Sequence, residues 1–138
     1  MEPYELFEQH LNQIGLNMER VVDDECVFFR SHQTTENGAN VVVVISFYPG
    51  KNYADIEFYN IAKLANPLKE EKYLALINEL NRSYRFAKVI LNQDHVQLSY
   101  SLSFDTYEAL SSEIMGLTIA LLNNVDEIYP KFMKLQWA

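Results

Sequence analysis

Three features of the chain predict an α+β fold, with helices packed on an antiparallel sheet in the order α-β-β-β-β-α-β-β-α. Val41 to Tyr48 is dense in β-branched and aromatic residues, the composition that suits a pleated strand. His95 to Phe104 alternates, with Val96, Leu98, Tyr100, Leu102 and Phe104 on one side and Gln97, Ser99, Ser101 and Ser103 on the other. That pattern belongs to an antiparallel strand with one covered face. Leu110, Ile114, Leu117, Leu121, Val125 and Ile128 step by three or four, which draws one apolar stripe along a helix. With no linker, repeat or low-complexity tract, residues 1–138 read as a single domain.

The first helix is expected over Pro3 to Ile14, because Pro3 suits an opening position and Gly15 supplies a stop. Tyr4, Phe7, Leu11 and Ile14 give it one apolar face. Met18 to Val22 and Cys26 to Arg30 read as a hairpin around the acidic turn Asp23-Asp24-Glu25. Ser31 to Asn40 is polar, with a turn at Asn37-Gly38. After Val41 to Tyr48 comes the turn Pro49 to Asn52, and then a strand from Tyr53 to Ile61 with Ala54, Ile56 and Phe58 opposed to Asp55 and Glu57.

Asn66-Pro67 opens the second helix, with Asn66 as cap and a stripe of Tyr73, Leu76, Ile77, Leu80 and Tyr84. Arg85 to Leu91 and His95 to Phe104 form the second hairpin around Asn92 to Asp94. The last helix begins near Thr106 and runs at least to Tyr129, its stripe widened by Met115, Ile119 and Leu122, and Phe132, Met133 and Trp137 continue apolar beyond it. Pro130, which lacks an amide hydrogen, is expected to end or kink it.

One segment does not fit a sheet covered on one face. Val41, Val43 and Ile45 oppose Val42 and Val44, so both sides of this strand are apolar. Lys88 among Ala87, Val89, Ile90 and Leu91 breaks the pattern in a similar way, and it is either exposed or paired with an acid such as Glu57. Part of the second face therefore needs a cover. The N-terminal helix, a second copy of the chain or a partner polypeptide would each serve, and cover from within the chain is the simplest. Val42, Val44 and Lys88 are thus the candidate interface residues.

Composition narrows the function classes. The net charge of −8, from 11 basic and 19 acidic residues, repels polyanions, and no basic patch offsets it, so nucleic acid is not an expected partner. The longest apolar run is too short to cross a membrane and no signal-peptide pattern opens the chain, which leads us to expect a soluble, cytoplasmic protein. Cys26 reads as a small buried hydrophobe.

No catalytic, metal or cofactor constellation is expected. His10, His32 and His95 have no ligand-like spacing, and Asp23 to Glu25 reads as a solvated turn. The four glycines are dispersed, which excludes dinucleotide and phosphate loops. The aromatic content of 13% could still line a small-molecule or catalytic pocket between the last helix and the sheet.

The stretch Leu76-Ile77-Asn78-Glu79-Leu80-Asn81-Arg82-Ser83-Tyr84-Arg85-Phe86-Ala87-Lys88 resembles the most characteristic part of the YbjN-type bacterial proteins. Gly15-Leu16 after the first helix, the Phe28-Phe29-Arg30 strand and the closing Tyr129-Pro130 agree in order. Members of that family are described as bacterial sensory transduction regulators. Their fold is similar to that of type III secretion chaperones, which are small, acidic, commonly dimeric and peptide-binding. The resemblance implies a non-enzymatic binding or regulatory module, homodimeric and holding a polypeptide, and it carries over no catalytic residue. An immunity or antitoxin-like role fits size and acidity alone. Ser31 to Asn40 is longer and more polar than the family pattern, which leaves the register of the first strands open.

Overall fold

The structure, a computed structural model, describes every residue from Met1 to Ala138. Three α-helices, α1 (Pro3–Ile14), α2 (Glu70–Ser83) and α3 (Leu110–Trp137), accompany six strands. The strands are β1 (Glu19–Val22), β2 (Val27–Thr34), β3 (Asn40–Phe47), β4 (Tyr53–Lys63), β5 (Lys88–Asn92) and β6 (His95–Ser103). They form one antiparallel sheet in the order β1-β2-β3-β4-β6-β5. The chain lays down β1 to β4 as a meander and leaves the sheet through a 3-10 turn (Pro67–Lys69) and α2. It returns at the far edge as β5, and β6 closes the gap beside β4.

All three helices lie on one face, the side to which the fully buried apolar residues of the strands point. Phe29, Val43, Ile45, Ile56, Phe58, Val89 and Leu98 are buried there beneath Phe7, Tyr73, Ile77, Leu80, Ile114, Val125, Ile128 and Phe132 of the helices. Phe7 anchors α1, its ring centroid 5.2 Å from that of Phe29 and 5.3 Å from that of Phe47. Tyr73 of α2 meets Phe132 of α3 at 5.2 Å and donates its hydroxyl to the carbonyl of Lys63. Gly15 takes the left-handed conformation that ends α1, with φ of 71°. Asn66 caps the 3-10 turn by accepting from the amide of Leu68.

The structure departs from the expected elements in four places. Ser31 to Thr34 is strand rather than loop: β2 pairs with β3 through His32↔Val42 and Thr34↔Asn40, so the polar stretch is ordered by its partner strand. Its tip is closed by the Thr35 amide, which donates to the Ala39 carbonyl, and by the Ala39 amide, which donates to the Thr35 hydroxyl. Pro130 does not end the last helix, which continues to Trp137. The Asp126 carbonyl, which Pro130 has no amide to reach, is satisfied by Asn37 from the β2–β3 turn. That helix also starts later than Thr106, at Leu110, after Ala109 in the left-handed region. Finally, Ile119 is 60% exposed at a cleft instead of joining the core stripe, while Met115 and Leu122 line that cleft and pack against the core.

Candidate functional site

The N-terminal helix does not cover the second face of the sheet; α1 sits with α2 and α3 on the first. No element of the chain lies over the other side, and the expected cover from within is absent for that reason. Strand pairing places this open face in rows. One row crosses the whole sheet as Glu19, Arg30, Val44, Glu57, Ser99 and Lys88. Its neighbours contain Val21, Phe28, Ser46, Asp55 and Ser101 on one side, and His32, Val42 and Tyr59 on the other.

Val42, Val44 and Lys88 share the open face. Val42 and Val44 are half-buried among their row neighbours, and Lys88 is exposed and makes no ion pair. For Lys88 the reason differs from the sequence reading. β5 does alternate, with Val89 and Leu91 turned inward and Lys88 and Ile90 outward.

Asp55, Glu57 and the hydroxyls around them, which sequence reasoning left out of the site, give the face its chemistry. Asp55 accepts hydrogen bonds from the hydroxyls of Tyr48 at 2.6 Å and Ser101 at 2.7 Å. Glu57 accepts from Ser99 at 3.2 Å. Neither carboxylate belongs to an ion pair, whereas Arg30 is held by Glu19 through two bonds of 2.9 and 3.1 Å. Burial pushes the hydroxyls of Tyr48 and Tyr59 well above the usual tyrosine range. The carboxylates of Asp55 and Glu57 add to this, because a phenolate beside either would be repelled. The signal for these residues was available in Asp55 and Glu57, acids alternating with core residues along a long strand.

The remaining polar chemistry is dispersed. No group of three or more His, Cys, Asp or Glu is placed to hold a metal ion. Asp23 organises its own turn, accepting from the amides of Glu25 and Cys26. Cys26 sits half-buried in that turn rather than within a strand, and burial raises the pKa of its thiol. No helix is long and apolar enough to cross a membrane.

A cleft of about 310 Å³ does open between α3, β2 and the segment after α1. Ile14, Leu16, Met18, Met115, Ile119 and Leu122 line it, with Ser31 and Gln33 at the strand side. Its walls are aliphatic and thioether, not aromatic as expected. The aromatic side chains are spent in the Phe7–Phe29–Phe47 and Tyr73–Phe132 clusters of the core.

The fold and its open face can now be set against known proteins. A family model named YbjN, described as "Putative bacterial sensory transduction regulator", matches residues 3–133. The chain belongs to the YbjN family. A solved structure, "Crystal structure of YbjN, a putative transcription regulator from E. coli", superposes with a TM-score of 0.62. The likeness covers 93% of this chain and 92% of that one, at 15% identity, and it establishes a shared YbjN fold. No protein of curated function matches the sequence.

Proposed function

We propose that this chain is a non-enzymatic regulatory module of the cytoplasm that works by binding protein, self-associating and holding a polypeptide in the manner of a secretion chaperone. The observation that carries the reading is the open face, where half-buried Phe28, Val42, Val44 and Tyr59 lie with nothing of the chain above them. Apolar side chains on an uncovered sheet favour contact with a second apolar surface, since association removes them from water. The carboxylates and hydroxyls among them give that contact a register. The YbjN family's description as a regulator supports a binding role over a catalytic one.

The test is a Val42→Asp/Val44→Asp variant, with the melting transition as a control for folding. Both side chains point away from the core, so the variant is expected to fold. It should lose most of the polypeptide captured by the wild type under the same conditions. Equal capture by variant and wild type would remove the open face from the account.

The cleft beside α3 favours a second reading, a site for a small aliphatic ligand. Its lining bears no charge, and its size falls at the lower end of small-molecule pockets. Neutral alkyl compounds should then raise the melting temperature, and Ile119→Asp should abolish that shift.

A further inference from the structure

Resting on the reading of the open face as an interface, we propose that two copies of the chain pair through it about a two-fold axis along β6. Glu57 of each copy then meets Lys88 of the other. β4, β6 and β5 are consecutive strands, and their central row reads Glu57, Ser99, Lys88. Adjacent strands lie about 4.8 Å apart, which puts the backbones of Glu57 and Lys88 about 10 Å from each other, with Ser99 midway. Within one copy no ion pair joins them. An acid and a base placed symmetrically about a central residue make a self-complementary surface, since a two-fold rotation about that centre exchanges them.

Charge disfavours the adjacent axis along β4. An axis along β4 would set Glu57 against Glu57 and Arg30 against Lys88, opposing like charges in both places. Like charges facing across an interface are strongly disfavoured. An axis along β6 forms two Glu57–Lys88 pairs and opposes no like charges in that row. Arg30 falls outside the contact and keeps its Glu19 partner. The neighbouring row brings Ile90 of β5, 39% exposed and paired with Gln97 of β6, into the contact.

The geometry also fixes the strength and the remainder of the face. β4, β6 and β5 run together only over the five residues of β5, so the shared footprint is about 14 Å by about 17 Å, on the order of 240 Å² per copy. That is below the range of stable specific interfaces, so the dimer should be weak and concentration-dependent. The β2–β3 half, with Val42 and Val44, stays free for a polypeptide.

The experiment is sedimentation over a wide concentration range for the wild type, Glu57→Lys, Lys88→Glu and the double reversal. Each single reversal should weaken the dimer about tenfold or more, and the double reversal should recover most of the loss. Lys88 is exposed, so Lys88→Glu reads assembly even if Glu57→Lys perturbs folding. Dimers indifferent to the single reversals, or a double reversal as weak as either single, would overturn this pairing while leaving self-association intact. A wild type that never dimerises would overturn both the pairing and the self-association on which it rests.

Discussion

Asn37 at the tip of the β2–β3 turn grips Asp126 of α3 from two sides. Its backbone amide donates to the Asp126 carboxylate at 2.7 Å, and its side-chain amide donates to the Asp126 carbonyl at 3.0 Å. That carbonyl is four residues before Pro130, which has no hydrogen to offer it. A proline within a helix costs stability largely through such an orphaned acceptor, and here a distant turn supplies the missing donor. The long polar hairpin and the uninterrupted α3 are therefore one feature.

Replacing Asn37 by Ala should destabilise the fold by about 0.5–1.5 kcal/mol, the range for a hydrogen bond lost at an exposed site. Pro130→Ala returns a backbone donor to the Asp126 carbonyl, so the same replacement should cost less in that background. Urea denaturation of the four proteins in the cycle measures the coupling, expected at about 0.5 kcal/mol or more. Strictly additive losses would mean that Asn37 acts independently of the proline.

A similar clasp closes the sheet edge. The Asn81 side chain accepts from the amide of Val89 at 2.7 Å and donates to its carbonyl at 2.9 Å, satisfying the outward groups of β5. Asn81→Ala should cost about 1–3 kcal/mol. Hydrogen exchange should quicken in Lys88 to Asn92 well before it does in β3. Because β5 presents Lys88, the dimer should weaken in parallel.

Alkaline pH should destabilise the protein. Burial raises the pKa of Tyr48, Tyr59, Tyr73 and Tyr84 above the ordinary 10.0, so the folded state holds these protons after the unfolded chain has released them. Their contribution is complete below pH 10.0 and is lost as pH rises through the folded values. Denaturation midpoints should hold between neutral pH and about pH 9, then fall above about pH 10. A midpoint flat into strong alkali would contradict this.

The apolar surface of the helices is not uniform. Phe7 is fully buried against two other rings, and Phe7→Ala should cost about 3–5 kcal/mol. Ile119 lies at the cleft mouth, and Ile119→Ala should change stability by about 0.5 kcal/mol or less. Thermal melts of the two variants check the contrast.

These residues also mark how far sequence patterns reach. Helical spacing and strand alternation are local, so α1, β3, β4 and the β5–β6 hairpin could be read from their own residues. The strand from Ser31 to Thr34 could not, because its polar side chains acquire strand geometry from pairing with β3. The passage of α3 through Pro130 draws on Asn37, which lies 89 positions before the Asp126 carbonyl it bonds, and no local rule contains that. Ile119 has core spacing but no element opposite it. For the open face, the double-sided valines were sufficient to single out Val42 and Val44. The roles of Asp55 and Glu57 were hidden, because one cannot know which strands flank β4 before the sheet order is known.

The most direct test of the open face as an interface is light-scattering mass across a wide dilution series, comparing wild type with Val42→Asp/Val44→Asp and Lys88→Glu. The account predicts a wild-type mass that climbs from one chain toward two as concentration rises. Lys88→Glu should hold the mass near one chain, and the valine variant, altered beyond the dimer footprint, should follow the wild type. A mass of one chain at every concentration, or a dimer that Lys88→Glu leaves untouched, would contradict it.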